Sequence, residues 1–347
     1  MANILYGVHG TGHGHAIRAL TVARHYPEHR FLFVSHLDGA RTLKPHFPVV
    51  ECANPVTPVR NHRVQSATLW SSAWNLLGGP HWFRVVQKAA EEFRPDVALT
   101  DYEFFVPLVA RARRIPCLSL DNQHALTLGR PEVPAGQGLS RFLTAGAVRG
   151  LFSFARLYLV SSFFRPPAPV RPTVRWAPPL LRDDLLRRRP AHGDFVLAYQ
   201  GYSTFREFAR TLRAIGRPVR AYGLGPAGTD GPVEFKIPNE TEFLDDLAAC
   251  AYVVCGGGHT LISEALWCGK PVFSVPIRGA YEQQLNAAQL ARAGFGQAVA
   301  PAGFTESALE DFERHLDDYR ANVRRDYRAD QGEIYAALDD FIAGRWR

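Results

Sequence analysis

Cysteine is sparse here, and the five present (52, 117, 250, 255 and 268) are scattered with no CxxC pair. That excludes a disulfide framework and a cysteine-rich zinc site, and predicts the reduced thiols of a cytoplasmic protein. Long hydrophobic runs are missing too. The longest, Leu157–Phe164, contains two serines and is far short of the ~20 residues that span a bilayer. Residues 3–8 already read as a buried first strand running into glycines, so no signal peptide is expected. No lysine-rich stripe or known motif supports nucleic-acid binding. Three signatures are also absent: a DxD triplet, a lipase-type GxSxG elbow and a P-loop GxxxxGK[ST]. Without DxD, a carboxylate-held metal at a diphosphate is not indicated, and no cofactor is implied.

What is present is ordinary in bulk and uneven in detail. Hydrophobic residues make up 46% and charged residues 21%, as in a soluble globular protein. With 347 residues the chain can form two domains with ample cores. The net charge of +7 lies in the first half, where residues 1–165 hold 18 Lys/Arg against 10 Asp/Glu and the rest 22 against 23. A basic first half suits an anionic acceptor or peripheral contact with the inner, anionic membrane face. A generally arginine-rich composition would give the same count.

Short apolar runs alternate with helical stretches in both halves, the pattern of parallel sheets with crossover helices. Strands are expected at residues 3–8, 30–34, 49–52, 97–100, 116–120 and 157–160, with helices at about 16–24, 66–93 and 105–113. Seven prolines in residues 166–190 break the pattern and predict an irregular linker. The second half resumes with strands at 195–199, 219–222, 233–236, 252–255 and 272–275. Helices at 306–328 and 333–346 close it. The fold class is therefore α/β: two Rossmann-like, doubly wound domains, residues 1–165 and 193–330, facing across a cleft. The linker is 166–192, and residues 331–347 are expected to pack back on the first domain. Ligands of such sheets bind at the strands' carboxyl ends.

The most informative stretch is Val253–Ala287, VVCGGGHTLISEALWCGKPVFSVPIRGAYEQQLNA. A strand ends in Gly256, Gly257 and Gly258. A helix opening on His259 and Thr260 then points its free N–H groups and positive dipole end at an anion. Glu264, one turn in, suits a vicinal diol such as ribose. A second strand leads to a polar loop with Glu282, Gln283, Gln284 and Asn286, which suits sugar hydroxyls. Upstream, Phe243 and Leu244 read as the end of a loop beside a nucleotide base, or as core of the next helix. Gly201 and Ser203 form another strand–glycine–helix junction, able to donate to a diphosphate or simply to turn the chain.

The first half carries a second constellation. GVHGTGHGHAIR places Gly10, Thr11, Gly12, His13 and Gly14 after strand one, and His15 opens a helix. A dinucleotide GxGxxG or GxGxxA does not fit, because His15 and Ile17 occupy the positions that need Gly or Ala. His15 faces the cleft as a candidate general base. Asp101, just past a buried strand, suits its orienting carboxylate, although an Asp there also suits a helix N-cap. Residues 121–124, DNQH, end the next strand and either contact the acceptor or fix a cleft loop. Aromatics crowd this half, and Trp70–Phe83 either packs internally or lines a hydrophobic acceptor site or membrane surface.

Together these motifs resemble the GT-B fold glycosyltransferases. TEFLDDLAACAYVVCGGGHTLISEALWCGKPVFSVPIRGAYEQQLNA is similar to the group that adds N-acetylglucosamine to lipid-linked muramyl-pentapeptide, and to UDP-glycosyltransferases more widely. GTGHGHAIRA resembles that family's glycine-rich loop. The resemblance implies inverting, metal-independent transfer from a nucleotide sugar, most often a UDP-sugar acting as co-substrate. By position it implies that Gly256–His259 meet the diphosphate, Glu264 the ribose, Glu282 and Gln283 the donor sugar, and Leu244 the uracil through its backbone. His15 would be the base and Asp101 its partner. Glu282 stands where the family commonly has Gln or Asp, which opens the donor sugar. Gly256 stands where retaining enzymes often have a glutamate, which disfavours retention. A sugar-nucleotide 2-epimerase of the same architecture, a non-catalytic nucleotide-sugar-binding subunit and an NAD-binding enzyme are the alternatives. The acceptor is open, with lipid-linked or hydrophobic molecules included.

Overall fold

The computed structural model describes residues 1–53, 59–60, 63–64, 79–201 and 206–346. In the first half, β1 (Asn3–Val8), β2 (Arg30–Ser35) and β3 (Val49–Glu51) are joined by β6 (Val97–Asp101), β7 (Cys117–Asp121), β8 (Leu157–Ser161) and β9 (Val174–Ala177). The sheet order is β3-β2-β1-β6-β7-β8-β9, and every pairing is parallel. Among the described residues the two-residue strands β4 (Val59–Arg60) and β5 (Arg63–Val64) pair with each other and with no other strand. β6 and β7 are buried along their whole length, as expected of strands covered by helices on both faces.

The second sheet repeats the plan. It contains β10 (Val196–Tyr199), β11 (Val219–Tyr222), β12 (Gly228–Asp230), β13 (Val233–Lys236), β14 (Tyr252–Cys255), β15 (Val272–Ser274) and β16 (Gly296–Ala298). Its order is β12-β13-β11-β10-β14-β15-β16, parallel except for the β12–β13 hairpin. In each sheet the order reverses once, at β1/β6 and at β10/β14. The crevice outside those strand ends is where such folds take ligands. The glycine-rich loops after β1 and after β14 sit at those two points.

The last helix, Gln331–Ile342, buries Ile334, Leu338 and Phe341 in the core of the first sheet, together with Ile4, Tyr6 and Leu159. Tyr26 Oη donates to Asp339 at 2.9 Å and ties this helix to the one that follows β1.

Three local expectations are corrected, and a fourth, left open between two readings, is decided. The proline-rich segment is not irregular throughout: β9 extends the first sheet and a short helix spans Asp183–Leu186. Pro172 and Pro178 flank that strand rather than interrupt it, so no ladder N–H is lost. Glu282, Gln283, Gln284 and Asn286 lie not on a loop but in the helix Tyr281–Arg292, which buries Tyr281, Leu285 and Leu290. Three consecutive polar residues hide that period. The helix expected over 306–328 breaks at His315 into Glu306–Arg314 and Leu316–Asp326. The break carries the chain between faces of the second sheet: Phe312 and Leu316 pack in one core, Val323 and Tyr327 in the other. Finally, Phe243 and Leu244 lie inside the helix Glu240–Ala249, which Asn239 caps by accepting from Glu242 N.

Candidate active site

The loop after β1 is shaped by close backbone approach. A Cβ at Gly10 would sit 1.9 Å from the His36 carbonyl oxygen, and Gly12 has φ +79°, so both positions demand glycine. Thr11 Oγ1 is buried without a partner among the described residues, and His13 is exposed. The helix Gly14–His25 then starts with no side-chain cap, which leaves its first N–H groups free.

His15 sits in the first turn of that helix, and its Nδ1 lies 2.7 Å from Asp101 Oδ1 at the end of β6. An ionised carboxylate only accepts, so Nδ1 donates and Nε2 keeps its lone pair. His15 retains 14% exposure while Asp101 has none, the disposition of a base and its buried orienting partner. Asp101 is no helix cap: Glu103 takes that role, accepting from Phe105 N at 2.8 Å and Val106 N at 2.7 Å.

Arg18 shares the carboxylate. Its Nε donates to Asp101 Oδ2 at 2.7 Å and a terminal nitrogen to Oδ1 at 2.6 Å. Burial disfavours its charge, yet Asp101 outweighs that and holds the guanidinium above its usual range. Other histidines crowd His15. His9 packs edge-on 5.2 Å from His15 and 5.3 Å from His36. Burial first, then the neighbouring histidines, pushes His9 well below its ordinary value. Burial, with His15, pushes His36 down to about 4. These rings are therefore neutral near pH 7. Tyr102, held at φ +55°, stacks on Phe152 at 3.9 Å and closes this wall.

The DNQH turn fixes a cleft loop. Asp121 accepts from His124 Nδ1 at 2.7 and 2.9 Å, from His124 N at 2.9 Å and from Ser119 Oγ at 2.6 Å. Burial opposes its charge, but His124 and these hydrogen bonds bring the carboxyl down to about 2. The clamp presents Asn122 and Gln123 to the other half of the molecule. Asn122 donates to Glu282 Oε1 at 3.1 Å, and Gln123 Nε2 to both Glu282 oxygens at 3.1 Å. Gln123 Nε2 also lies 3.5 Å from His15 Nε2. Glu282 is thus brought towards His15 from the opposite side of the cleft.

On the donor side, Gly257 is a contact glycine. A Cβ there would lie 2.1 Å from the Gln283 carbonyl oxygen, whereas Gly258 meets nothing within 4 Å. Asn286 Nδ2 donates to the Gly257 carbonyl at 2.9 Å, and Gln283 Oε1 accepts from Ile277 N at 3.1 Å. Gln283 and Asn286 therefore brace the glycine turn. The helix His259–Trp267 also begins without a side-chain cap, and a Cβ on Gly14 would be 2.8 Å from Thr260 Oγ1. Two uncapped helix N-termini, one from each half, meet here. Each presents free N–H groups and a positive dipole end, which suit an anion.

Several expected donor residues are differently employed. The His259 ring is buried, its Nε2 accepts from Phe163 N at 3.2 Å, and burial pushes it down to about 3. Its imidazole ties the halves together, leaving the backbone N–H for an anion. Both Glu264 oxygens accept from Arg182, at 2.6 and 2.7 Å, and the carboxylate is buried. Leu244 is core, and Phe243 packs edge-on against Tyr222 at 5.1 Å while its N–H donates to Asn239 O. Gly201 is exposed at the end of β10; Ser203, like Trp70 and Trp74, lies outside the described residues.

Sequence reasoning missed Arg18, Arg182 and Gln200. Arg18 was signalled by its i+3 spacing from His15 on one helix face. Gln200, buried with Nε2 unpartnered among the described residues, points its Oε1 towards Gly256 at the second switch point; its place before Gly201 was the only signal. Arg182 left none, because its partner is 82 residues away.

The comparisons with known proteins agree with this architecture. Residues 2–317 match glycosyl transferase family 1, and the chain belongs to that family. An uncharacterized glycosyltransferase of Methanosarcina acetivorans is 27% identical over 292 residues, 75% of this chain and 73% of that one. Among solved structures, Phytolacca americana UGT2 complexed with UDP-2fluoro-glucose and pterostilbene superposes with TM-score 0.68 at 14% identity, covering 99% of each chain. Acinetobacter baumannii MurG does so with TM-score 0.61 at 13% identity, covering 97% of this chain and 99% of its own. The protein is a glycosyltransferase of GT-B type.

Proposed function

We propose that the protein transfers a sugar, with inversion, from a UDP-sugar to a hydroxyl acceptor, with His15 as general base and no cofactor beyond the nucleotide-sugar co-substrate. The observation that carries this is the His15–Asp101 contact of 2.7 Å at the place where two uncapped helix N-termini converge. Nε2 of His15 takes the acceptor hydroxyl proton as that oxygen bonds to the anomeric carbon. The bond from that carbon to the diphosphate oxygen breaks, and the departing charge falls on the free amides of Gly14–Ala16 and His259–Leu261. Asp101 stabilises the imidazolium that forms. Glu282, steadied by Asn122 and Gln123, is placed to receive donor-sugar hydroxyls. The ribose role of Glu264 requires Arg182 to share or yield the carboxylate. Uracil is supported by the likeness to Phytolacca americana UGT2, complexed with UDP-2fluoro-glucose, although SsfS6 and VinC are complexed with thymidine diphosphate and dTDP.

The test is His15→Ala. Glycosyl transfer should be abolished while UDP binding, followed by isothermal titration against a panel of nucleotides, survives. Undiminished transfer removes His15 from the mechanism, and tight binding of NAD with none of UDP removes the whole assignment.

A further inference from the structure

The helix Gly138–Ala147 leaves an apolar face uncovered. Leu139 is 71% exposed, Phe142 75% and Leu143 57%. At i, i+3 and i+4 they share one side of the helix, while Ala145 is buried on the other. A single exposed leucine is ordinary, but three large apolar side chains on one helical turn mark an interaction surface. The chain around them is basic, and the exposed Glu132 just before it is paired with Arg292. From Val133 to Arg182 the sequence has seven arginines and not one Asp or Glu. Arg175 and Arg182 are engaged by Asp340 and Glu264. Arg141, on this helix, and Arg149, just beyond its end, are exposed.

The face also has a telling position. Its helix follows the DNQH turn and packs against the helix Tyr281–Arg292, whose first turn carries Glu282. Apolar side chains flanked by arginines fit the boundary between acyl chains and anionic headgroups. We propose that this face docks on an anionic lipid bilayer and so opens the cleft towards the membrane surface. Docking stands independently of the transferase chemistry; its use, to admit a lipid-linked hydroxyl acceptor, rests on the function proposed above.

Vesicle co-sedimentation of the full chain tests it. The probes are phosphatidylcholine vesicles with and without about 30% phosphatidylglycerol, the fraction being chosen to give a strong surface potential. The wild type should sediment with the anionic vesicles, at least about tenfold more strongly than with the neutral ones, and salt should weaken it. Leu139→Ser/Phe142→Ser/Leu143→Ser should lose about tenfold or more of that binding. Arg141→Glu/Arg149→Glu should lose at least about twenty-fold, at roughly fivefold for each basic residue removed. No sedimentation with either vesicle overturns the proposal, as does a triple variant that sediments like the wild type. So does a lipid-free dimer, seen by sedimentation velocity and abolished in the triple variant, because a second copy then covers the face. UDP titration of the triple variant should match the wild type. Failure of both proteins to bind UDP counts against the proposed donor and leaves the docking result standing.

Discussion

Arg18 and His15 converge on the same oxygen, Asp101 Oδ1, which accepts from the guanidinium at 2.6 Å and lies 2.7 Å from the imidazole Nδ1. Asp101 is fully buried, so one cation must be permanent. Arg18 is that cation; His15 is then free to gain and lose a proton without leaving a bare charge in the core. Arg18→Met should cost about 3–5 kcal/mol, because it strands a buried carboxylate. The double variant Arg18→Met/Asp101→Asn should recover most of that loss, since no charge is left unpaired. Urea denaturation of both decides it, and equal stability of the single and double variants contradicts the account.

Arg182 and Glu264 make the corresponding pair between the proline-rich segment and the donor half. Arg182 closes a two-pronged contact on a buried carboxylate and also reaches Glu240 at 3.3 Å. Arg182→Ala should destabilise by about 3–5 kcal/mol, and Arg182→Met/Glu264→Leu by far less. If Glu264 also holds the ribose, the double variant should be near-stable yet raise the KM for the donor. Unchanged KM in a folded double variant assigns Glu264 to structure alone.

The sheets and both glycine-rich loops were legible in the sequence because each rests on local pattern: short apolar runs for strands buried on both faces, and glycines where a strand meets a helix. His15 with Asp101 was legible for the same reason, since each sits at a strand–helix junction and the doubly wound topology brings β1 beside β6. Contacts set by long-range packing were not. Nothing local distinguishes Glu264 facing a ribose from Glu264 buried under Arg182. The helix Tyr281–Arg292 was obscured because Glu282, Gln283 and Gln284 interrupt the apolar period, and they do so because that turn faces the cleft. β9 was obscured by prolines that flank it without entering its ladder.

Acid should weaken the fold in two stages. His36 and His259 are held at about 4 and about 3, below the ordinary histidine value. Between those values and about 6.5 the unfolded chain binds protons that the folded one refuses, so stability is full above that window and falls as pH drops through it. By pH 5 each contributes a loss of up to about 2 kcal/mol. Asp121, held at about 2, adds a second loss as pH falls from the usual aspartate range towards 2. Calorimetric Tm should therefore decline from neutral pH to pH 5, and His36→Gln/His259→Gln should flatten the slope. A slope that the double variant leaves untouched would falsify this linkage.

Gly257 and Gly258 are adjacent and should behave oppositely. A Cβ at Gly257 overlaps the Gln283 backbone, which cannot retreat without moving the helix Tyr281–Arg292, whereas Gly258 faces open space at φ −68°. Gly257→Ala should lower Tm by several degrees and weaken UDP binding through the displaced turn. Gly258→Ala should keep wild-type Tm, and any loss of UDP affinity it shows then reports direct crowding of the ligand. Wild-type Tm in both variants would mean that the turn is not braced by Gln283.

Gln123 should connect donor placement to the base. Its amide donates to both oxygens of Glu282, reaches 3.5 Å from His15 Nε2, and has Oε1 buried without a partner. Hydrogen bonds to a charged acceptor contribute about 1.5–3 kcal/mol each, so Gln123→Ala, which frees Glu282 from its main anchor, should cut kcat/KM about tenfold to a hundredfold. Asn122 still holds one oxygen, at 3.1 Å, which sets the lower end of that range. Gln123→Glu should do worse, because it sets a second carboxylate against Glu282 and a like-charge pair resists closure of the cleft. The distinguishing readout is pH: Gln123→Glu should regain activity on mild acidification, as the pair comes to share a proton, while Gln123→Ala should show no such recovery. Steady-state rates of both variants across that range, beside a UDP titration showing intact nucleotide binding, separate positioning of Glu282 from loss of the donor site. Parallel pH profiles for the two variants would mean that Gln123 acts through packing alone.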